Sequence, residues 1–443
     1  MQEFSVHSSR RKSLSNASTA SKSSIPAPGR VPHSSAGTKN RGDENRADVL
    51  VLGAGASGLI CAREAAGRGL RVTVLERGAV PARKLAISGG GKANFTNRRV
   101  TPQDYRCDGP DGTAFCAPAL RAFAPAAVQR LIRQWRLPFE EREHGQLFLT
   151  VPAQKMVQAL LADCRQRCCR ILCNNPVETL TFSEGMFEAH TQEGVWHAPA
   201  AVLAMGSPAW PQAGGSGHGY RLAQQLGHSL VLPRPALTPL LLPQGHHFTS
   251  LSGISLPVRI AAGARQWQDH LLFTHGGLSG PAALKASLFW ESGMQIFVNF
   301  LPDHQFKALL DAPEAGKQTA RALLGRLLPQ RLADALLPQE SARKKIAELS
   351  RATRDSLVEA VHAYSLLPAG TAGLKKAEAC GGGVQTAEID PQTMQSRLCP
   401  GLFITGEMLD VTGLLGGYNL HWAWASGMAA GRALPLPADR CDE

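Results

Sequence analysis

The sequence of 443 residues is longer than one hydrophobic core usually supports, so we expect two or three domains. It contains no run of eighteen or more apolar residues, and no membrane-spanning helix is therefore predicted. The net charge of +12 agrees with a site for anionic ligands. It is weak support for a nucleic-acid surface, because no recognisable RNA-binding module accompanies it.

The first 46 residues differ in composition from the rest of the chain. They carry 8 Lys or Arg against 3 Asp or Glu and are rich in Ser and Pro. Such a segment cannot bury enough apolar surface to fold, so residues 1–46 are predicted to be a disordered basic tail. The apolar stretch of a secretory signal is missing, and a solvated tail on a cytoplasmic protein is favoured over an organelle transit peptide.

The ten cysteines are scattered along the chain, which is typical of reduced cytosolic thiols. The densest group contains Cys164, Cys168, Cys169 and Cys173. Its C-x3-C-C-x3-C spacing is not a usual zinc or iron–sulfur pattern. No metal site is therefore predicted.

The segment that begins at Val49 predicts a strand, a helix and a second strand, with G-x-G-x-x-G at the first turn. Gly53 permits the tight turn, Gly55 lets a pyrophosphate approach the backbone, and Gly58 lets the helix pack closely on the strand. Glu76 ends the second strand, where its carboxylate can accept hydrogen bonds from ribose hydroxyls and would repel a 2′-phosphate. This unit predicts a dinucleotide site and leaves FAD or NAD open.

A second glycine-rich stretch, SGGGKANFTN, occupies residues 88–97. Gly91-Lys92 has the appearance of a triphosphate-binding loop. That loop also needs a glycine five positions before Gly91 and a hydroxyl after the lysine, whereas this chain has Ala86 and Ala93. The second stretch must therefore serve a different ligand.

The segment that follows residue 173 alternates like strands joined by turns at Glu184-Gly185 and Glu193-Gly194. It is similar to the small β-meander of FAD domains, which would place the backbone of Val177 near adenine. AAVLAMG then returns to the parallel sheet. The turn at Gly206 is either a cofactor contact or plain packing.

From about residue 208 the chain reads as short strands with Pro and Gly turns, which suits a barrel-like insert. Residues 303–366 lack strand alternation and are rich in Leu, Ala, Lys and Arg, as in a helical bundle. Within FTHGGLSGPAALKAS, His275 and the next helix start could line a substrate pocket. A capped strand-to-helix corner is the favoured alternative.

The carboxyl-terminal segment predicts a strand ending in Gly406-Glu407, a loop, and a helix that begins near Gly416. This order is typical of flavoproteins. The acid reaches the ribityl or pyrophosphate part, and the helix amides point at the flavin edge where negative charge collects on reduction. An NAD-only dehydrogenase needs no such return of the chain, so the pattern favours FAD. His421 either touches the ring or substrate or packs in the core.

Six motifs in order resemble the BaiN/YhiN-like flavoprotein family: GAGASGL, ARKLAISGGGKANFTN, HGQLF, LLFTHGGLSGPA, AEACGGGVQT and GEMLDVTGLLGGYNLHWAWASG. The resemblance covers about residues 47–434. It implies an α/β fold, with a Rossmann-like FAD-binding domain, an inserted β-barrel-like domain and a small helical domain. We assign residues 47–207 and 373–436 to the first, 208–302 to the second and 303–372 to the third. The family usually has G-R-C-N-F-T-N where this chain has Lys92 and Ala93, so any role of that cysteine is absent here.

Both glycine stretches are then predicted to hold one FAD molecule. Lys92 would add charge and Asn94 and Thr96 would face the ring; a solvated lysine and plain turn chemistry are the alternatives. The predicted cofactor-binding residues come from the two glycine stretches, the meander and the carboxyl-terminal segment: Gly53, Gly55, Ala56, Ser57, Gly58, Glu76, Arg77, Lys84, Ser88, Gly89, Gly90, Gly91, Lys92, Asn94, Thr96, Val177, Gly206, Gly406, Glu407, Gly416, Gly417, Tyr418, Asn419 and Leu420. The catalytic residue is left open, with His275, His421 and Tyr418 as candidates.

The predicted function is an FAD-dependent oxidoreductase that takes electrons from NAD(P)H and passes them to a small organic acceptor, with an enone-type C=C compound as one candidate. Because no second dinucleotide fingerprint follows a strand, NAD(P)H would visit the open pocket as a transient reductant. Nucleic acid is not expected as a partner, because no recognised RNA-binding module is visible, although the basic balance and the cationic tail favour it slightly. A flavin-containing nucleic-acid-binding or RNA-modifying protein, and an FAD-binding protein without turnover, are the alternatives. The oligomeric state is left open.

Overall fold

The computed structural model describes residues 45–437. The predicted basic tail of residues 1–46 therefore lies outside the described residues, apart from its last two. Asn45 donates its side-chain N–H to the carbonyl of Val195 at 3.2 Å, and Arg46 forms a bridge with His197.

The amino-terminal part alternates between helices and strands up to the return of the chain to the central sheet. Its elements are β1 (Val49–Leu52), α1 (Ala56–Gly67), β2 (Val72–Leu75), α2 (Arg83–Gly91), β3 (Asn94–Asn97), β4 (Tyr105–Arg106), α3 (Ala117–Ala122), α4 (Pro125–Gln134), β5 (Phe139–Glu141), β6 (Gln146–Leu149), α5 (Ala153–Gln166), β7 (Arg170–Leu172), β8 (Thr179–Ser183), β9 (Met186–Thr191), β10 (Gly194–Ala198) and β11 (Ala200–Leu203).

The middle part contains strands first and short helices afterwards. Its elements are α6 (His218–Gln225), β12 (Leu230–Ala236), β13 (Leu240–Leu241), β14 (Ser255–Ala262), β15 (Arg265–Thr274), β16 (Gly277–Ser279), α7 (Gly280–Phe289), β17 (Ile296–Asn299), α8 (Phe306–Asp311), α9 (Ala320–Leu324), α10 (Gln330–Leu336), α11 (Gln339–Arg343), α12 (Arg351–His362), β18 (Tyr364–Leu366) and β19 (Gly370–Thr371). The chain ends with β20 (Ala379–Val384), β21 (Leu402–Ile404), β22 (Thr412–Gly413) and α13 (Tyr418–Ala433).

Within residues 45–437, five parallel strands form the central sheet in the order β21-β11-β1-β2-β7. Every residue of β1, β2 and β11 is buried, as expected for a parallel sheet whose two faces are covered. The predicted strand–helix–strand unit is confirmed, with Val49 paired to Val72 across β1 and β2. The Rossmann-like α/β fold class predicted from the sequence is therefore correct.

The inserted part is an antiparallel sheet of seven strands in the described chain, in the order β18-β17-β14-β15-β16-β13-β19. Its core is separate from the core of the central sheet. The helices between residues 306 and 362 share this second core, with Phe306, Leu332 and Val361 all buried in it. By contrast, α6 and β12 pack on the first core, so the change from one core to the other falls after Leu237.

Helix α13 returns to the amino-terminal part and packs along α1. Gly427 and Gly431 bring the two helices close, since a Cβ at Gly427 would lie 2.4 Å from the carbonyl oxygen of Ser57. This packing attaches the carboxyl-terminal segment to the first glycine turn.

Candidate functional site

A cavity of about 460 Å³ lies at the carboxyl ends of β1, β2, β11 and β21. Ligands of open α/β sheets bind at this edge of the sheet. Its wall combines residues from Leu52 to Gly90 with residues from Leu414 to Ala423. The first and last parts of the chain thus build one site.

The turn between β1 and α1 is packed tightly against neighbouring backbone. Gly53 has φ +107°, and a Cβ there would lie 2.5 Å from the carbonyl oxygen of Ala204. A Cβ at Gly58 would lie 2.1 Å from the carbonyl oxygen of Gly53. Helix α1 begins at Ala56 with no acidic residue in its first turn, so its free amides and positive dipole end suit a phosphate.

Glu76 connects the β1–α1 turn to the loop that follows β2. One carboxylate oxygen accepts from the amide of Ala54 at 2.8 Å, and the other accepts from the amide of Gly78 at 2.7 Å. Both oxygens are therefore fixed at the cavity wall. A carboxylate in this position can also accept from sugar hydroxyls, because each oxygen has two lone pairs.

The second glycine stretch forms the end of α2 and then a kink. Ser88 leaves the helical conformation, and Gly89 and Gly90 are left-handed with φ of 55° and 65°. A Cβ at Gly89 would lie 2.6 Å from the amide nitrogen of Asn94. A Cβ at Gly90 would meet nothing within 4 Å, so the bare backbone of this residue faces open space at the wall.

An ion pair joins α2 to the segment after β21. Lys84 Nζ lies 3.0 Å from Glu407 Oε2, and the hydroxyl of Ser207 donates to the same oxygen at 3.0 Å. All three residues line the cavity. The lysine is thus held beside the space that a diphosphate would need.

The carboxyl-terminal glycines close the opposite side. Gly416 and Gly417 have φ of 118° and 96°, and a Cβ at Gly417 would lie 2.5 Å from the carbonyl oxygen of Thr96. Asn97 donates to the carbonyl of Gly416 at 2.9 Å. The side-chain amide of Asn419 pairs with both backbone groups of Gly413, at 2.8 and 2.9 Å.

A further group of wall residues is fixed by backbone carbonyls. His218 Nε2 donates to the carbonyl of Val177 at 2.6 Å, while its Nδ1 accepts from Arg221 at 2.8 Å. Arg77 donates to Gly214 at 2.7 Å. These contacts connect the meander, α6 and the β2 end on one side of the cavity.

Most of the predicted cofactor-binding residues lie on this wall, and their cofactor contacts stay predictions: Gly53, Gly55, Ala56, Ser57, Glu76, Arg77, Lys84, Ser88, Gly89, Gly90, Asn94, Val177, Gly206, Glu407, Gly416, Gly417, Asn419 and Leu420. The other predicted residues are placed elsewhere: Gly58, Gly91, Lys92, Thr96, Gly406 and Tyr418. Lys92 is exposed at the surface, and Tyr418 packs edge-on against Tyr105.

The three candidate catalytic residues, His275, His421 and Tyr418, are absent from the described wall. His275 is exposed in the turn before β16. His421 is fully buried, and its Nδ1 lies 2.8 Å from the hydroxyl of Thr96. Thr96 therefore faces His421 rather than the cavity, and burial lowers the pKa of His421 to about 3.

Sequence reasoning missed several wall residues, among them Gln146, Phe148, Ser207, Trp210, His218 and Glu378. Gln146 and Phe148 belong to HGQLF, whose alternating pattern shows a strand without showing which cavity it borders. The side-chain amides of Gln146 and Asn94 lie 2.8 Å apart. Glu378 is a charged residue between two buried alanines, Ala377 and Ala379, and this contrast is the signal that could have found it.

The residues present fit a dinucleotide cofactor with a flavin. Two glycine turns give close backbone approach on one side, Glu76 offers acceptors for ribose, and Lys84 offers a cation for the diphosphate. The amides of Gly416 and Gly417 lie directly before the sixteen-residue helix α13, at the far side.

No helix of the described residues is long and apolar enough to cross a membrane.

Comparison with known proteins gives one family and three relatives. A family model described as the HI0933-like protein Rossmann domain matches residues 47–433. A protein of Haemophilus influenzae named ribosomal RNA dihydrouridine synthase is 36% identical over 389 residues, which is 86% of this chain and 96% of that protein. A protein of Escherichia coli with the same name is 33% identical over 399 residues, which is 88% of this chain and 98% of that protein. A 3-dehydro-bile acid Δ4,6-reductase of Clostridium scindens is 30% identical over 409 residues, which is 87% of this chain and 98% of that protein.

These names bear on one expectation about partners. Nucleic acid was not expected as a partner, for want of a recognised RNA-binding module, but that expectation is not supported, because two of the relatives are named for ribosomal RNA.

Proposed function

This chain belongs to the HI0933-like family of Rossmann-domain proteins, and within it we propose an FAD-dependent reductase of carbon–carbon double bonds that are conjugated to a carbonyl group. The family match confirms the resemblance predicted from the sequence motifs. The observation that carries the proposal is the single cavity whose wall joins the β1–α1 turn, the Ser88–Gly90 kink and the start of α13.

Different residues of the wall would hold different parts of FAD. The α1 amides and Lys84 would bind the diphosphate, Glu76 the adenosine ribose, and the amides at Gly416 and Gly417 the polar edge of the ring. When bound, the flavin would supply a hydride, which is one proton with two electrons, to an acceptor. The chain contributes position, charge and a proton.

The names of the relatives point to one type of bond. In uridine the 5,6 double bond is conjugated to the 4-carbonyl, and in a 3-dehydro Δ4,6 bile acid the double bonds are conjugated to the 3-carbonyl. Both substrates are therefore enones in the chemical sense. We favour uridine in ribosomal RNA as the substrate, because the two relatives of that name have the higher identities to this chain. A cytoplasmic location stays part of this proposal.

A small-molecule enone is the second candidate substrate. It is favoured by the bile acid reductase among the relatives and by apolar wall residues beside the α13 start, Leu414, Leu415 and Leu420. Leu237, at the edge of the insert, is a further apolar residue of the wall. In both cases NAD(P)H is the proposed reductant and would enter the same cavity.

The experiment begins with the colour of the purified chain and its FAD content. Under anaerobic conditions we expect NADH or NADPH to bleach the flavin band. Adding a uridine-containing RNA oligonucleotide should then restore the band and form dihydrouridine, detectable by mass spectrometry. Restoration by cyclohex-2-enone alone would select the second candidate. A colourless protein that takes up no added FAD, or a flavin that neither nicotinamide bleaches, would reject the proposed function.

A further inference from the structure

Reduction of a conjugated double bond requires a proton as well as the electrons. Two hydrogens are added in total, and the reduced cofactor supplies only one of them. The second must arrive as a proton at the carbon next to the carbonyl group. A positioned side chain that donates this proton typically accelerates such a reaction by about 10²–10⁴-fold.

The titratable side chains of the cavity wall differ in whether they have partners. Glu76 is bound to two backbone amides, Glu407 to a lysine and a serine, and His218 to a carbonyl and an arginine. Glu378 is different, because no residue in the described part of the chain donates a hydrogen bond to its carboxyl group or pairs with it. Its side chain is exposed to the cavity that it lines.

The backbone of Glu378 is held in place although its side chain is free. Its amide donates to the carbonyl of Leu237 at 3.1 Å, and its neighbours Ala377 and Ala379 are each 1% exposed. Leu237 also lines the cavity. Glu378 therefore lies on the cavity wall where the chain passes between the insert and the Rossmann core, beside the apolar Leu237.

From this placement we propose that Glu378 is the catalytic acid that protonates the substrate. The inference rests on the proposed reductase function. In the step, the O–H bond of the Glu378 carboxyl group breaks and a C–H bond forms at the carbon next to the carbonyl, which is C5 in uracil. Bound FAD in its reduced form would supply a hydride, which is one proton with two electrons, to the other carbon, C6. The two new C–H bonds replace the double bond, and water returns a proton to the carboxylate.

The electrostatic surroundings agree with this role. Burial raises the pKa of Glu378, although part of its side chain is exposed to the cavity. Burial is the cause of this shift, without a contribution from a neighbouring charge. A carboxyl group with a raised pKa keeps its proton closer to neutral pH, which a proton donor requires.

The test compares Glu378→Gln with Glu378→Asp and with Glu340→Gln, an exposed glutamate of α11 outside the cavity. Glu378→Gln should bind FAD and be bleached by NAD(P)H as the wild type is. Its reoxidation by cyclohex-2-enone or a uridine-containing RNA oligonucleotide should be at least about a hundredfold slower. Glu378→Asp should recover part of that rate, and Glu340→Gln all of it.

A second readout does not depend on turnover. Infrared spectra of the FAD-loaded protein, recorded as the pH is raised, should contain a protonated-carboxyl band that persists above the ordinary range of a glutamate, that Glu378→Gln and Glu378→Asp alter and that Glu340→Gln keeps. Wild-type reoxidation rates in Glu378→Gln, or a band unchanged in both variants, would overturn the inference. A wild-type protein that binds no FAD rejects the proposed function instead, so the two failures are distinct. If Glu378→Gln does not fold, Glu378→Asp and the infrared band decide.

Discussion

The Glu76 carboxylate has two tasks at the cavity wall. It accepts hydrogen bonds from the amides of Ala54 and Gly78, at 2.8 and 2.7 Å, and it faces the space proposed for the adenosine ribose. The first task fixes the loops that flank the diphosphate. The second would add charge-assisted hydrogen bonds to the sugar, which are stronger than neutral ones.

Replacing Glu76 with Gln tests both tasks, because the shape is kept while the charge is lost and one acceptor becomes a donor. We expect FAD to bind roughly ten- to a hundredfold more weakly, since a hydrogen bond to a charged group contributes about 1.5–3 kcal/mol. Calorimetric titration of the FAD-free protein measures the dissociation constant. Glu193→Gln, in the exposed β9–β10 turn, should leave it unchanged. Equal affinities in wild type and Glu76→Gln would contradict the assignment of Glu76.

His421 provides a prediction about pH. Burial lowers the pKa of His421 to about 3 in the folded protein, whereas an unfolded histidine has a pKa near 6.5. Below about pH 6.5 the unfolded chain therefore binds a proton that the folded chain excludes. The resulting stability is present above pH 6.5 and is lost as the pH falls towards 3.

Replacing His421 with Asn should remove this part of the pH dependence. Between pH 5.5 and 4 the free energy of unfolding of the wild type should fall more steeply than that of His421→Asn, by about 1.4 kcal/mol per pH unit. Urea unfolding at a series of pH values gives the two slopes. Parallel slopes would show that His421 titrates normally in the folded chain.

At the residue scale the sequence predicts backbone requirements better than side-chain directions. Gly53 was predictable because the tight turn it forms is a local property of a strand followed by a helix. The direction of Thr96 depends on His421, which is 325 positions away in the chain. Glu378 had no visible role, because the cavity it lines is assembled from segments distant in sequence.

At the scale of elements, the packing of α13 on α1 brings the two ends of the chain together. A Cβ at Gly427 would lie 2.4 Å from the carbonyl oxygen of Ser57 and 2.5 Å from Cγ2 of Ile60. Both distances are shorter than any real contact allows, so one helix must move. Ser57 also lines the cavity, and a shift of α1 would therefore reach the site.

Gly427→Ala should therefore destabilise the protein although alanine favours helices. The gain in helix propensity is about 1 kcal/mol at most, whereas overpacking costs typically 1–3 kcal/mol and here involves backbone. We expect a lower melting temperature and weaker FAD binding. Gly370→Ala is the control, because a Cβ there meets nothing within 4 Å. A variant as stable as the control would show that α1 and α13 separate without cost.

The elements of the Rossmann part were predictable because each strand or helix shows its own periodicity. The pairing of the inserted strands was harder to predict from the sequence, because β13 pairs with β16 and β19, which are short and distant in sequence. The glycine-rich stretch leaves the helical conformation at Ser88, and Gly89 and Gly90 are left-handed, a conformation that glycine adopts readily.

At the scale of the whole molecule, the basic segment and the residues of the cavity wall occupy different parts of the sequence. The cavity wall lies between Leu52 and Ala423. Residues 1–44 carry 7 Lys or Arg against 3 Asp or Glu, an excess of +4. Because RNA affinity depends strongly on the number of phosphates that are neutralised, this segment can affect RNA binding.

Removing residues 1–44 should leave FAD content and the reduction of cyclohex-2-enone unchanged, because no described wall residue belongs to that segment. Binding to a single-stranded, uridine-containing RNA should weaken. The slope of log affinity against log salt should become shallower by up to about 5, from roughly 0.7 for each of seven lost cations. Fluorescence anisotropy at several salt concentrations measures it. A full-length variant with those seven Lys and Arg replaced by Gln separates the effect of charge from that of length. Its RNA affinity should match that of the truncated protein. Wild-type RNA affinity in this variant would exclude the tail charge as a contributor.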